Sequence, residues 1–297
     1  MNKMEKIESH TALPQESPVR LSDYIPGVFA AISSKKGMKK AISKGLVRVN
    51  GQVAFTSKYI NGGEVIDLYK EQIDASLPVL ELDLQVLHED AQLAIIYKPS
   101  GIVVSGNKLK TIANALPHVL EESAEADALS RPQPAHRLDF PTSGVLLIGK
   151  TSGTLTALNK LFESKSIQKT YLAITIGKMK SSGEIKTEIK GKKAETTYKV
   201  LQEIPSPKFE FLNYVELKPT TGRRHQLRIH MAELGNPILG DQTYGLNGKI
   251  SQGKGLYLHA SEIAFIHPKT GEPLHIKAEL PQKFERLLNN KLSNSDN

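Results

Sequence analysis

Ala135-His136-Arg137-Leu138-Asp139-Phe140-Pro141-Thr142-Ser143-Gly144 runs directly into Val145-Leu146-Leu147-Ile148-Gly149. A short aliphatic run bounded by glycines reads as a buried strand. The polar stretch before it therefore lies at the entry to a rigid element, near the surface. Arg137 and Asp139 are two residues apart, so extended backbone sends both to one side and Leu138 to the other. An isolated Arg-x-Asp pair is most often an ordinary surface ion pair. Its position ahead of a Thr-Ser-Gly turn and a buried strand makes Asp139 a candidate reactive group.

Working outward, strand patterns are predicted at 84–88, 92–97, 144–149, 169–177, 196–202, 213–218 and 256–266. Helices are predicted at 153–164, where Leu155, Leu158 and Phe162 share a face, and at 224–234. In the latter, Leu227, Met231 and Leu234 recur at helical spacing, Gly235 ends the run, and Arg224 and Arg228 share another face. Turn-linked strands with few helices between them predict an α+β fold, a mainly antiparallel mixed sheet with flanking helices over about 81–288. In the strand at 171–176, Leu172, Ile174 and Ile176 form one face and leave Tyr171 on the other.

Composition narrows the chemistry. The 297 residues hold 39 Lys+Arg against 31 Asp+Glu, a net charge of +8, and no Cys. Zero Cys excludes disulfides, Cys-rich zinc sites, iron–sulfur clusters and a thiol nucleophile. The longest apolar runs fall far short of the roughly 20 residues that span a bilayer, and the N-terminus lacks an apolar core, so a cytoplasmic setting is expected. Ser17 to Lys70 contains nine basic and three acidic residues, which gives +6 of the +8. That concentration points to a polyanionic partner. Within it, Met38, Ala41 and Ile42 mark a short helix with a lysine-rich outer face ending at Gly45, followed by a hairpin turning at Asn50-Gly51. Residues 1–16 and 289–297 are polar and aperiodic and are expected to be disordered tails; 71–80, with Pro78, reads as a linker.

These stretches carry two resemblances. RLSDYIPGVF (20–29) and SKKGMKKAISKGLVRVNGQ (34–52) resemble the S4 RNA-binding domain. That likeness implies a small α/β RNA-docking module over 17–75 that uses Lys35, Lys39, Lys40, Lys44 and Arg48. HRLDFPTSG (136–144) resembles the HRLDxxTSG motif of the RluA family of pseudouridine synthases. YKPSG (97–101), KTYLAITIG (169–177), TGRRHQLRIH (221–230), GNPILGDQTYG (235–245) and LHASEIAFIHPKTGE (258–272) fit the same family in the same order. Arg224 departs from the small residue usual before the motif His.

The RluA likeness implies an isomerase that breaks the N1–C1′ bond of a uridine and rejoins the base through C5, with neither cofactor nor metal. It implies Asp139 as the catalytic carboxylate and Arg228 as its cation, expected as a bidentate pair. Tyr171 would stack on the flipped uracil and reach the C5 proton, Arg137 would fill the vacated space in the RNA, and His136 would orient the loop. Whether the carboxylate adds covalently or acts after a glycal forms stays open. The expected partner is structured RNA, with 23S ribosomal RNA favoured, bound by a monomer. The alternatives are the same chemistry on tRNA and a non-catalytic S4-type RNA-binding protein. A metal-dependent hydrolase using His225, His230, His259, His267 and His275 fits poorly, because no HExxH or clustered carboxylates accompany them.

Overall fold

The computed structural model describes residues 4–32, 34–71, 80–245 and 255–289. The chain divides into two compact units. The first comprises 1–79 with the short segments 123–131 and 151–153, and the second comprises the rest.

In the first unit, a four-stranded sheet has the order Met4–Thr11, Val65–Glu71, Val47–Val49, Gln52–Val53, and Val19–Arg20 pairs separately with Tyr59–Ile60. The helix Lys35–Ser43 is capped by Ser34, whose side chain accepts from the Gly37 N–H, and it buries Met38, Ala41 and Ile42. These pack with Leu21, Ile25, Phe29, Ile60, Ile66 and Leu68. Asn50 and Gly51 both have positive φ, 50° and 79°, as a tight hairpin turn requires.

The expected N-terminal tail at 1–16 is corrected here, because Met4–Thr11 is a strand paired antiparallel with Val65–Glu71. Polar contacts reinforce the main-chain pairing. Ser9 donates to Asp67 at 2.6 Å, His10 meets the Tyr24 hydroxyl at 2.9 Å, and the Glu8 carboxylate accepts from the N–H groups of Ala30 and Ala31. A strand held this way needs no apolar periodicity, and MEKIESHT has none. Of the expected C-terminal tail at 289–297, Asn289 ends the helix Gln282–Asn289, and the rest, like most of the linker, lies outside the described residues.

The second unit is built on a mixed sheet. Its path runs Ser182–Ile185, Thr196–Ser206, Glu210–Pro219, Gln168–Ile176, Leu258–Ile266, Ser143–Thr151, Leu93–Lys98, Val86–Glu89, with Pro273–Lys277 attached alongside. Every junction on this path is antiparallel except that of Ser143–Thr151 with Leu258–Ile266, which is parallel with Gly144 opposite Ala260. The α+β class with a mainly antiparallel mixed sheet is thus observed. One apolar cluster gathers around Leu93–Lys98 and Ser143–Thr151, a second around Gln168–Ile176 and Glu210–Pro219, and Tyr171 packs against both.

The predicted strands all occur, with ends shifted by a few residues. The helix expected at 224–234 is Gln226–Glu233, because His225 adopts a left-handed conformation at φ 58° and starts the helix late. Arg224 therefore lies before the helix and shares no helical face with Arg228. The helices Ile112–Val119 and Gln282–Asn289 add to those the patterns predict.

Candidate active site

A cleft of about 600 Å³ opens in the second unit, with Asp139, Tyr171 and Arg228 all on its walls. Four stretches build it: 135–139 with Thr142, the end of the helix Ser152–Glu163 with Lys165 and Ile167, the start of Gln168–Ile176, and 219–228. Six Lys and Arg side chains line it (Arg137, Lys165, Lys169, Arg223, Arg224 and Arg228) against two carboxylates, Asp139 and Glu163. Such a surplus attracts a polyanion.

The alternation predicted around Asp139 holds. Leu138 is buried in the first apolar cluster, while Arg137 and Asp139 both face the cleft. The Asp139 loop is fixed from below by Lys98, a side chain with no solvent exposure. Its ammonium donates to the carbonyls of Pro99 at 2.9 Å, Thr142 at 2.7 Å and Phe140 at 3.4 Å. Burial lowers the Lys98 pKa to about 8, and the Asp139 charge opposes that shift. The next residues continue the clamp. Ser143 Oγ meets His259 Nδ1 at 3.0 Å, and at Gly144 (φ 120°) a Cβ would fall 2.0 Å from the Ala260 carbonyl oxygen. Only glycine allows the two parallel strands to approach so closely.

The expected bidentate pairing of Arg228 with Asp139 is corrected by the geometry. The fork of Arg228 engages Asp241, with Nε 2.7 Å from Oδ2 and Nη2 2.8 Å from Oδ1. Nη2 also donates to Thr243 Oγ1 at 3.0 Å, and the ring of Tyr244 lies beneath the guanidinium at 5.1 Å. The remaining Nη1 reaches toward Asp139 Oδ2 at 3.5 Å. Asp241 is fully buried and accepts two further hydrogen bonds, from the N–H groups of Thr243 and Tyr244. Those partners outweigh its desolvation and hold its pKa below the usual carboxylate value. A guanidinium satisfied by one buried carboxylate is thus oriented to present its last edge to a second.

His225 approaches the other Asp139 oxygen, with Nε2 3.7 Å from Oδ1, while its Nδ1 meets the Tyr244 hydroxyl at 3.0 Å. Burial lowers its pKa. Tyr171 lies at a bulge, where Gln168–Ile176 shifts register against Leu258–Ile266 between Thr170 and Tyr171. Burial, followed by the Asp139 charge, raises the Tyr171 pKa, so its hydroxyl is a neutral phenol at physiological pH. His136 Nε2 accepts from the Leu147 N–H at 3.1 Å, and burial lowers its pKa to about 4. It is a neutral ring that ties the loop to the strand.

The cations expected to dock RNA lie in the first unit. Lys35, Lys39, Lys40 and Lys44 are all exposed, Lys35 is ion-paired with Asp23, and the Arg48 guanidinium lies over the Tyr69 ring at 4.7 Å. Among the described residues, no group of three or more His, Asp or Glu side chains is placed to hold a metal ion.

The family model for RNA pseudouridylate synthase matches residues 92–233. Over 96% of this chain and 98% of the relative, the sequence is 33% identical to ribosomal large subunit pseudouridine synthase D of Buchnera aphidicola subsp. Schizaphis graminum. It is 30% identical to synthase D of Xylella fastidiosa, over 94% of this chain and 91% of the relative. The chain belongs to the RNA pseudouridine synthase family. Ribosomal large subunit pseudouridine synthase C of Vibrio parahaemolyticus is 31% identical over 86% of this chain and 87% of its own. The solved structure of human RNA pseudouridylate synthase domain containing 4 superposes with a TM-score of 0.55 at 26% identity, covering 69% of this chain and 92% of that one. The protein is therefore an isomerase with a pseudouridine synthase fold. The matched span takes in Asp139, Tyr171 and Arg228, whereas Asp241 and residues 1–79 lie outside it.

Sequence reasoning brings Asp139, Tyr171, Arg137 and Arg228 to one cleft and misses Asp241, Lys98 and His225 as parts of the site. Asp241 and Lys98 stand within stretches that already match the family, GDQTYG and YKPSG, but neither signals its partner by local spacing.

Proposed function

We propose that this synthase isomerises uridine in large-subunit ribosomal RNA, with Asp139 as the catalytic carboxylate. The observation that carries the reading is a carboxylate held at the edge of a cation-rich cleft by a guanidinium that is itself locked on Asp241. The N1–C1′ bond breaks, the uracil turns, C5 bonds to C1′, the C5 proton leaves and N1 takes up a proton, so the product is an isomer of the substrate. Covalent addition at C1′ and removal of the C2′ proton to form a glycal both need an ionised carboxylate at this point. The Nη1 edge of Arg228, 3.5 Å from Asp139 Oδ2, places a positive charge beside that carboxylate. Tyr171 supplies a ring to stack on the uracil. As a neutral phenol it receives the C5 proton only by passing its own to solvent in the same step. Arg137, exposed beside the cleft, is the side chain that enters the space left in the RNA.

The names of the curated relatives support ribosomal RNA over tRNA as the substrate. In this reading the enzyme works where ribosomes are assembled, in the cytoplasm. The first unit, which resembles an S4 domain in its helix and hairpin, docks RNA through Lys35, Lys39, Lys40, Lys44 and Arg48. Pseudouridine mapping of total RNA from cells with and without the protein tests the substrate. Loss of at least one site in 23S ribosomal RNA is expected, and a loss confined to tRNA would contradict the reading.

A further inference from the structure

A uridine stacked inside folded RNA is out of reach of a carboxylate in a cleft until it leaves the helix, and leaving forfeits its stacking. Proteins that open a base step commonly offset that cost by inserting an apolar side chain. The second unit holds one side chain suited to this. Among its described residues every Phe and Tyr is buried or half-buried except Phe140, which is 54% exposed. Phe140 comes directly after Asp139 in the chain and stands just outside the cleft wall that Asp139 and Thr142 form.

The backbone that carries this exposed ring is unusually well held. The Phe140 carbonyl accepts from the Gly101 N–H at 2.8 Å and from Lys98 Nζ at 3.4 Å. The Pro141 carbonyl accepts from Ser100 Oγ at 2.9 Å, and Thr142 N–H closes the turn on the Asp139 carbonyl at 3.0 Å. Pro141 also fixes its own φ. A large apolar group on a clamped loop loses little further freedom when it inserts, so most of its stacking is realised as affinity. Adjacent Cα atoms are about 3.8 Å apart, so Phe140 and Asp139 leave the backbone at neighbouring points of one loop.

We propose that Phe140 is a wedge that stacks on a base next to the target uridine and holds the step open while the uridine occupies the cleft. Arg137 flanks Asp139 on the other side in sequence and brings charge, whereas Phe140 brings a stacking face. This inference rests on the reading of the Asp139 cleft as the uridine site.

The test uses total RNA from cells lacking the protein, labelled with uridine tritiated at C5. Turnover is followed as tritium released when C5 bonds to C1′. The RNA is supplied in two forms, folded in magnesium and fragmented to short single strands, and each variant's rate is taken relative to the wild-type protein on the same RNA. Phe140→Ala is expected to lose about tenfold or more on folded RNA, the order expected for removing one base-stacking ring, and to stay within about twofold on fragments. Phe140→Trp, which keeps a stacking face, is expected to retain activity on both. An equal loss on both forms, or no loss on folded RNA, would overturn the wedge. Asp139→Asn in the same assay separates the two readings, since its turnover bears on the catalytic carboxylate and not on the selectivity of Phe140→Ala between RNA forms.

Discussion

Arg228 carries the most information of any single residue in the site. Three of its donor groups are engaged by two carboxylates and a hydroxyl, and only a planar fork satisfies all three at once. Arg228→Lys keeps the charge but leaves Asp241 buried beside a single point charge. We expect turnover to fall by roughly a hundredfold or more, the size of effect seen when a preorganised electrostatic partner is removed. Asp241→Asn is expected to act in the same direction, although Asp241 contributes no atom to the cleft wall, and to cost stability of about 3 kcal/mol or more through the unpaired guanidinium. Steady-state kinetics and urea unfolding of both variants check this; wild-type kcat in Asp241→Asn would remove Asp241 from the positioning of Arg228. The sequence points to Arg228 but directs its fork to the wrong carboxylate. Asp241 lies thirteen residues downstream in a loop, and nothing in local spacing reveals a partner that folding brings together.

The element that organises the site is the strand Ser143–Thr151. It is legible because an aliphatic run between glycines has few alternatives to a buried strand, and because Thr-Ser-Gly announces a constrained entry. What cannot be read is why each of those residues is there. The Thr142 carbonyl takes Lys98, Ser143 meets His259, and Gly144 admits the Ala260 carbonyl. All three partners come from strands distant in sequence. This packing has a pH signature. Burial lowers the pKa of His259 and of His136 to about 4, so both imidazoles are neutral in the folded state. In the unfolded chain they titrate near the ordinary value of about 6.5. As pH falls, the unfolded chain binds protons first, and stability declines between about 6.5 and 4. Below that window both states are charged and these groups cost nothing further. Each histidine contributes on the order of 3 kcal/mol at the limit. Urea midpoints measured from pH 7 to 4.5 should fall steadily, with a shallower fall in His259→Asn; a flat profile would contradict the neutral buried rings.

At the scale of the whole molecule, the two units are legible to different degrees. The second unit follows its alternating and aliphatic patterns closely, whereas the strand Met4–Thr11 has the pattern of a tail because polar side chains and main-chain pairing hold it. The excess charge has two locations. The first unit contributes exposed lysines, and the cleft of the second has its own surplus of six Lys and Arg side chains over two carboxylates. Replacing Lys39, Lys40 and Lys44 together by Gln should therefore weaken RNA binding and lower the slope of log affinity against log salt. The change should be roughly 0.7 to 0.9 for each phosphate no longer neutralised, with kcat on bound RNA little changed. An unchanged slope would show that these lysines touch no phosphate. The central claim, that uridine isomerisation depends on one carboxylate in this cleft, is tested most directly by Asp139→Asn, measured as tritium release from C5-labelled RNA of cells lacking the protein. Release should vanish while RNA affinity and the unfolding midpoint stay close to wild type, and turnover near the wild-type rate would contradict the account.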